Sequence, residues 1–218
     1  MSDTEVRAAI AAERTELAEV LAGLDAAAWE APTLCAGWRP REVLAHMTMA
    51  YRLSLPRFAL DMVKARGNFN RMSDRRARAD AAALTPAELV ASLRDNAGHP
   101  WKPPGSGYEA TLAHEVIHGM DITVALGLPR RVPVDRVAIV LEGTRPEQVR
   151  YFGTDLSGVE LRADDLDWSL AGDAPESTVT GAAQDLLLVL CGRRLPAGRL
   201  AGEQASRYEA GVEGSTGS

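Results

Sequence analysis

Cysteine is scarce: the chain holds two, Cys35 and Cys191, far apart and without a CxxC pair. No disulfide framework follows from that, and the two read as free thiols, one in a loop and one in a packed helix. Aromatic residues make up 5% of the chain while Ala and Leu abound, which favours helix over sheet. No apolar run is long enough to cross a membrane. The opening MSDTEVRAAIAAER is charged and lacks the apolar core of a signal peptide, so a cytoplasmic protein is expected. Excess positive charge is missing too. Lys and Arg number 24 against 30 Asp and Glu, a net charge of −6, which argues against a nucleic-acid surface. The one basic stretch, RMSDRRAR from Arg71 to Arg78, reads as a solvated helix face beside a loop, with an anionic ligand as the alternative.

What remains is ordinary globular material. The 218 residues, 46% hydrophobic and 25% charged, suit one larger domain, or one domain with a small appendage. Histidine is the informative residue, because there are only four. His114 and His118 lie four apart in the stretch HEVIHGMD, inside a helical pattern. Four residues turn a helix by about 400° and advance it by roughly 6 Å, so the two imidazoles share one face. One helix can thus offer two ligands to one ion. The pair alone fits a solvated or capping role better than a ligand role. It is read as an HxxxH ligand pair and not as a metalloprotease motif. His46 lies in REVLAHM, on the stripe of Val43, Met47 and Ala50, and so points inward, either as a hydrogen-bonded core residue or as a third ligand. His99 falls in the Pro- and Gly-rich GHPWKPPGSG and reads as an exposed loop residue.

In chain order, a helix covers Thr4 to Leu24 with Asp3 or Thr4 as its cap. A loop holding Trp29 and Trp38 follows, then a helix from Pro40 into the sixties that Pro56 kinks or breaks. Further helices cover Arg71 to Ala83, a segment capped at Thr85 with a capping box to Glu88, and Tyr108 to Leu126, where Gly127 ends the last. Another runs through VPVDRVAIVLEG, with a break near Pro146. Past Gly153 the pattern alternates. Val159 to Arg162 and Leu166 to Leu170 read as a hairpin, Ser177 to Thr180 as a third strand, and GAAQDLLLVLCGR as a buried helix closed by Gly192. The expected plan is a mainly α protein. Residues 1–153 form a helical bundle, 154–203 a small β-β-β-α module, and 204–218 a disordered tail.

Three blocks carry a resemblance: WEAPTLCAGWRPREVLAHM from Trp29, HEVIHGMDITVALGLPR from His114, and DLDWSLAG through TGAAQDLLLVLCGR. With their marks PTxCxGW, HGxDIxxALG and GxxxDLLLxLxGR, they resemble the mycothiol-dependent maleylpyruvate isomerase family of actinobacteria. The N-terminal part of that family belongs to the DinB/YfiT-like four-helix-bundle superfamily. The resemblance implies a DinB-like bundle with a small α+β C-terminal module. It also implies a divalent metal held by one residue of the second helix and two of a later one, which here are His46, His114 and His118. In the isomerase type the position of His114 is usually Glu. This chain has His there and Glu115 next, the three-His set of the wider DinB-like group.

Three neutral imidazoles suit zinc first, with nickel or iron as alternatives, and leave a coordination position open. Asp121, one turn after His118, is placed to accept from a ligand imidazole or to make a structural bond. Trp38 and Arg39 stand at the mouth of the His46 helix, where Trp38 lines a pocket or anchors the core and Arg39 could meet a carboxylate. The resemblance implies mycothiol as thiol cosubstrate; a small electrophilic substrate, no nucleic-acid or membrane partner, and a monomer or homodimer are expected alongside it. The first expectation is a metal-dependent thiol S-transferase. The alternatives are maleylpyruvate cis–trans isomerisation and a non-catalytic metal-binding regulator.

Overall fold

The first helix, α1 (Asp3–Ala22), starts from a capping box one residue earlier than the sequence suggests. Glu5 N–H donates to Ser2 Oγ at 3.4 Å, and the Glu5 carboxylate accepts the Ser2 N–H at 2.7 Å. The computed structural model describes residues 2–210. Within them the segment predicted as one long helix from Pro40 is three: α2 (Pro40–Met47), the single turn α3 (Met49–Arg52) and α4 (Leu55–Lys64). Two residues explain the breaks. Thr48 turns its hydroxyl back onto the Leu44 carbonyl at 2.7 Å, and Pro56 enters α4 in its first turn, where a missing N–H does no harm.

The helices α5 (Phe69–Ala83), α6 (Pro86–Asp95) and α7 (Tyr108–Thr123) complete the bundle. The capping box of Thr85 with Glu88 and Pro86 in the first turn of α6 form as expected. Helix α1 packs on α6 and α7, and α2 packs on α5, α6 and α7. The core holds Leu17 and Leu21 of α1, Val43 and Leu44 of α2, Leu89 and Leu93 of α6, and Ile122 of α7. Each such side chain, fully buried, contributes about 1.5–3 kcal/mol.

The chain divides into two compact units that meet between Leu126 and Gly127. The sequence reading draws its boundary at 153, so α8 (Val134–Gly143) and α9 (Pro146–Tyr151), assigned there to the bundle, fall in the second unit. That unit carries a four-stranded sheet. β1 (Val159–Ala163) and β2 (Ser169–Ala171) form the expected hairpin, with Arg162 opposite Ser169. β3 (Ser177–Gly181) lies parallel to β1, Leu161 beside Val179, and β4 (Leu200–Ala201) adds an unforeseen antiparallel edge. Helix α10 (Ala183–Leu190) is buried along its whole length: Leu186 to Leu190 are apolar, while Gln184 accepts from Val132 N–H and Asp185 from Arg199.

The tail expected to be disordered from 204 is ordered as far as it is described. Ala205–Arg207 forms a 3-10 turn, and the buried Tyr208 donates its hydroxyl to the Asp155 carbonyl at 2.9 Å. The rest of that segment, 211–218, lies outside the described residues. Among the described residues no helix is long and apolar enough to cross a membrane.

Gly192 closes α10 with φ of 75°, and a Cβ there would stand 2.5 Å from the Phe152 carbonyl oxygen. Both the left-handed backbone and the contact exclude a side chain. Gly192→Ala is therefore expected to destabilise the protein by at least about 1–2 kcal/mol, read as a lower urea midpoint at unchanged slope.

Candidate metal centre

His114 and His118 rise from the middle of α7, and His46 comes from the last turn of α2, which packs on α7. The spacing read from the sequence becomes a cluster. One ligand nitrogen from each of the three imidazoles lies within 4.8 Å of the other two. The ring centroids stand 4.8 to 5.0 Å apart, and the Nε2 atoms of His46 and His114 are separated by 3.1 Å. Two ligands bound to one ion at about 2.0–2.1 Å, at the tetrahedral angle, stand roughly 3.3 Å apart. The observed nitrogen spacing is close to that.

Each ring also has a group behind it. Ser73 Oγ of α5 lies 2.8 Å from His46 Nδ1. Asp121 Oδ2, one turn on in α7, lies 2.9 Å from His118 Nδ1. Behind His114 the nearest group is the Glu115 carboxylate, whose Oε1 is 3.8 Å from Nδ1. Nδ1 of His114 is buried and has no hydrogen-bond partner. Burial, then the neighbouring His114 and His118, hold His46 well below the usual imidazole range. His46 is therefore neutral at pH 7, as a ligand must be. Neutral nitrogens at this spacing, backed by Ser73 and Asp121, fit a divalent ion with three protein ligands.

Glu115 needs separate treatment, because the letters HEVIH also satisfy the metalloprotease pattern HExxH, which the reading as HxxxH passes over. In that pattern the Glu is a general base at metal-bound water. Here Glu115 is fully buried, and its Oε1 accepts from Arg14 Nε at 3.1 Å, Arg14 Nη2 at 2.9 Å and the Tyr51 hydroxyl at 3.2 Å. It lies on the Nδ1 side of His114, whereas Nε2 faces the cluster. A base must come within hydrogen-bond reach of the proton it takes, and this carboxylate faces away. Burial raises its pKa, His114 and Arg14 lower it, and the net shift is downward. Burial and then the Glu115 charge raise the Tyr51 pKa, which keeps its hydroxyl a donor.

The other expected site residues divide. Trp38 packs its ring 5.2 Å from His46 and donates Nε1–H to Asp74 at 2.8 Å, so it walls the cluster and is also anchored. Arg39 does not serve the cluster. Its guanidinium is held by Glu42 and Glu30, and its backbone N–H donates to Glu42 at 2.9 Å, so it closes the start of α2. His99 is half-buried, against the expectation of exposure. Its ring lies 5.1 Å from Tyr51 and its carbonyl accepts from Arg14.

Several neighbours of the cluster escape sequence reading. Trp101 lies 6.2 Å from the His114 ring, and Cys35 Sγ is 4.0 Å from His118 Nδ1. Cys35, His118 and Asp121 form a second group with ligand atoms in mutual reach. Ser73 and Asp74 come from the stretch read as a solvated basic face. The available signal was the stripe Met72, Ser73, Ala77 and Ala81, which is buried while Arg71, Arg75 and Arg78 are exposed.

Three comparisons place these observations among known proteins. Residues 10–99 match the family model of the mycothiol maleylpyruvate isomerase N-terminal domain. That span includes His46 and Trp38 and stops before His114. The uncharacterized protein Rv0036c of Mycobacterium tuberculosis is 28% identical over 214 residues, covering 84% of this chain and 83% of its own length. MT0041 of a second strain of that organism matches to the same degree, 28% over 214 residues with the same coverage. The crystal structure of the mycothiol-dependent maleylpyruvate isomerase superposes with a TM-score of 0.60 at 14% identity, covering 94% of both chains. A histidine-to-alanine mutant of it gives 0.62 at 13% identity with the same coverage. At such identities the likeness is one of fold, mainly helical with a small sheet.

His46 makes the metal-free cluster acid-sensitive. Its folded pKa lies below the unfolded value of about 6.5, so the unfolded chain binds the proton first as pH falls. The stability due to neutral His46 is full above that value and is lost as pH falls through the folded pKa. Denaturant titrations of the metal-free protein between pH 7.5 and 5 are expected to show this decline, and His46→Gln is expected to flatten it.

Proposed function

We propose, from the match of residues 10–99 to the family model of the mycothiol maleylpyruvate isomerase N-terminal domain, that the chain is a metal- and mycothiol-dependent enzyme of the isomerase type. It would act on a small unsaturated electrophile. The observation that carries the reading is the cluster of three imidazoles, with His46 inside the matched domain and His114 and His118 facing it from α7.

His46, His114 and His118 would hold the ion. A divalent cation there supplies a Lewis acid that ionises a thiol at neutral pH, where a free thiol of pKa about 8.5 is only a few per cent thiolate. The chain's own residues shape the rest. Asp121 would accept a hydrogen bond from His118 Nδ1–H and so leave the Nε2 lone pair for the ion. Trp38 and Trp101 supply apolar walls beside His46 and His114, limiting water near the reacting atoms. Addition of the thiol across an activated cis double bond, rotation about the resulting single bond and loss of the thiol give the trans product. Retention of the thiol would give an S-transferase.

The sequence reading put the transferase first, and the family match and fold likeness favour the isomerase. Arg39 bears on substrate recognition: its guanidinium is held by Glu30 and Glu42, and this pairing weighs against its binding a substrate carboxylate.

The test is turnover of maleylpyruvate by zinc-loaded protein with mycothiol, followed by chromatography of both products. Formation of the trans isomer with the thiol recovered is expected, together with loss of at least about 100-fold in rate for His118→Ala. Accumulation of a thiol conjugate would move the assignment to the transferase. No turnover of any electrophile, with metal or without, would leave a binding protein.

A further inference from the structure

Glu115 and His114 together carry two of the buried polar atoms without a partner, Glu115 Oε2 and His114 Nδ1. They are consecutive in sequence, and the closest approach between carboxylate and ring is 3.8 Å, Nδ1 to Oε1. Buried polar atoms are left unpaired at a price in stability, so two on consecutive residues call for a reason.

The carboxylate is not free to turn elsewhere. Oε1 takes three donors, two from Arg14 and one from Tyr51. Arg14 is itself saturated. Its Nη1 donates to the carbonyls of Asn96, Ala97 and His99 at 3.3, 3.1 and 3.1 Å, and its guanidinium lies over the Tyr51 ring at 4.9 Å. The Arg14 and Glu115 side chains are 0% and 1% exposed, so solvent does not screen the pair. The result is a fixed dipole whose negative end lies beside His114.

We propose that Glu115, clamped by Arg14 and Tyr51, is the positioning residue of His114: its carboxylate keeps the imidazole proton on Nδ1 and so leaves the Nε2 lone pair facing the metal position. This rests on the metal-site reading above. At 3.8 Å the contact is longer than a hydrogen bond, so the carboxylate acts through its charge in a low-dielectric interior.

The neighbouring contacts agree. The Nε2 atoms of His46 and His114 are 3.1 Å apart, so in the metal-free protein one must donate to the other. With Glu115 holding the proton of His114 on Nδ1, His46 is the donor and its Nδ1 accepts the Ser73 hydroxyl at 2.8 Å. The opposite arrangement would set a lone pair of His114 against a carboxylate. A hydroxyl rotor can serve either tautomer of His46, whereas a clamped carboxylate can serve only one of His114. His114 is therefore the preset ligand, and His46 the one that changes tautomer when an ion enters.

Glu115→Gln isolates the charge. Arg14 and Tyr51 donate to Oε1, so the glutamine oxygen takes that place and its NH2 the Oε2 place, with shape kept and the negative charge removed. The experiment is 15N NMR of imidazole tautomers in the metal-free, full-length protein, with His114 assigned by loss of its signals in His114→Gln. Zinc affinity is measured alongside by competition with a chromophoric chelator. The wild-type protein is expected to show the Nδ1–H tautomer at His114. Glu115→Gln should shift it toward Nε2–H and weaken zinc binding by about ten-fold or more, while Asp121→Asn leaves the His114 tautomer in place. A purely structural Glu115 would not move the tautomer. Nε2–H at His114 in the wild type would overturn the proposal, and so would a folded Glu115→Gln with unchanged tautomer and zinc affinity. If Glu115→Gln does not fold, the wild-type tautomer decides. If the wild type binds no zinc, the metal-site reading fails and the tautomer still decides this one.

Discussion

Three imidazoles packed within 4.8 Å of one another cannot all carry a proton charge, and the architecture of the first unit follows from that constraint. Each added charge would repel the other two in a region that is also poorly solvated. A ring that is to hold an ion must be neutral, and a neutral ring needs a defined partner for its second nitrogen. Two elements supply the groups behind the rings: α5 through Ser73, and α7 itself through Asp121 and Glu115. Helix α1 contributes at one remove, by fixing Glu115 with Arg14. Close packing of α1 on α7 is needed for this, and Gly119 allows it. A Cβ at that position would stand 3.1 Å from a Leu17 methyl.

The stretch HEVIH shows why a motif is a statement about letters until the surroundings are known. On a helix, residues at i and i+4 share a face while i+1 is rotated by about 100°. Whether the i+1 carboxylate reaches the ion depends on what covers its side of the helix. Here α1 covers it, and the covering residue is an arginine. An arginine fully removed from water needs a carboxylate more than any ion nearby does, because breaking such a pair leaves an uncompensated buried charge. The Glu is thereby taken out of the reaction, though not out of the site.

Much of this was legible in the sequence. Periodicity gave the helices, the Thr85 cap and the switch to strands after Gly153, and the rarity of histidine singled out His46, His114 and His118. What was not legible depended on contacts across the bundle. Arg39 is half-exposed at a helix mouth, where a ligand role is easy to imagine, but Glu30 lies nine residues upstream and only the folded loop brings it near. Ser73 sits among arginines, and its inward direction shows only once α5 is laid on α2. The break after Met47 depends on one threonine hydroxyl folding back on its own helix, which no apolar pattern records. Order in 204–210 depends on Tyr208 reaching Asp155, a contact between a polar, Gly-rich end and a turn far upstream.

The two carboxylates behind the cluster are not equivalent, and the difference bears on the kind of ligand the site would favour. Glu115 is matched by Arg14 at 2.9 Å, so the pair adds a dipole and little net charge. Asp121 acts on His118 directly at 2.9 Å, which makes that imidazole the more basic ligand. Three neutral ligands leave the charge of a divalent ion undiminished in the first coordination sphere, and Asp121 offsets part of it from behind. With an ion bound, the balance would stay positive, which would favour an anionic ligand such as a thiolate over a neutral one. A carboxylate bound directly to the ion would reduce that preference. With its acidic residues held one imidazole away, the chain would keep an ion's attraction for the anion while fixing the rings that would hold that ion.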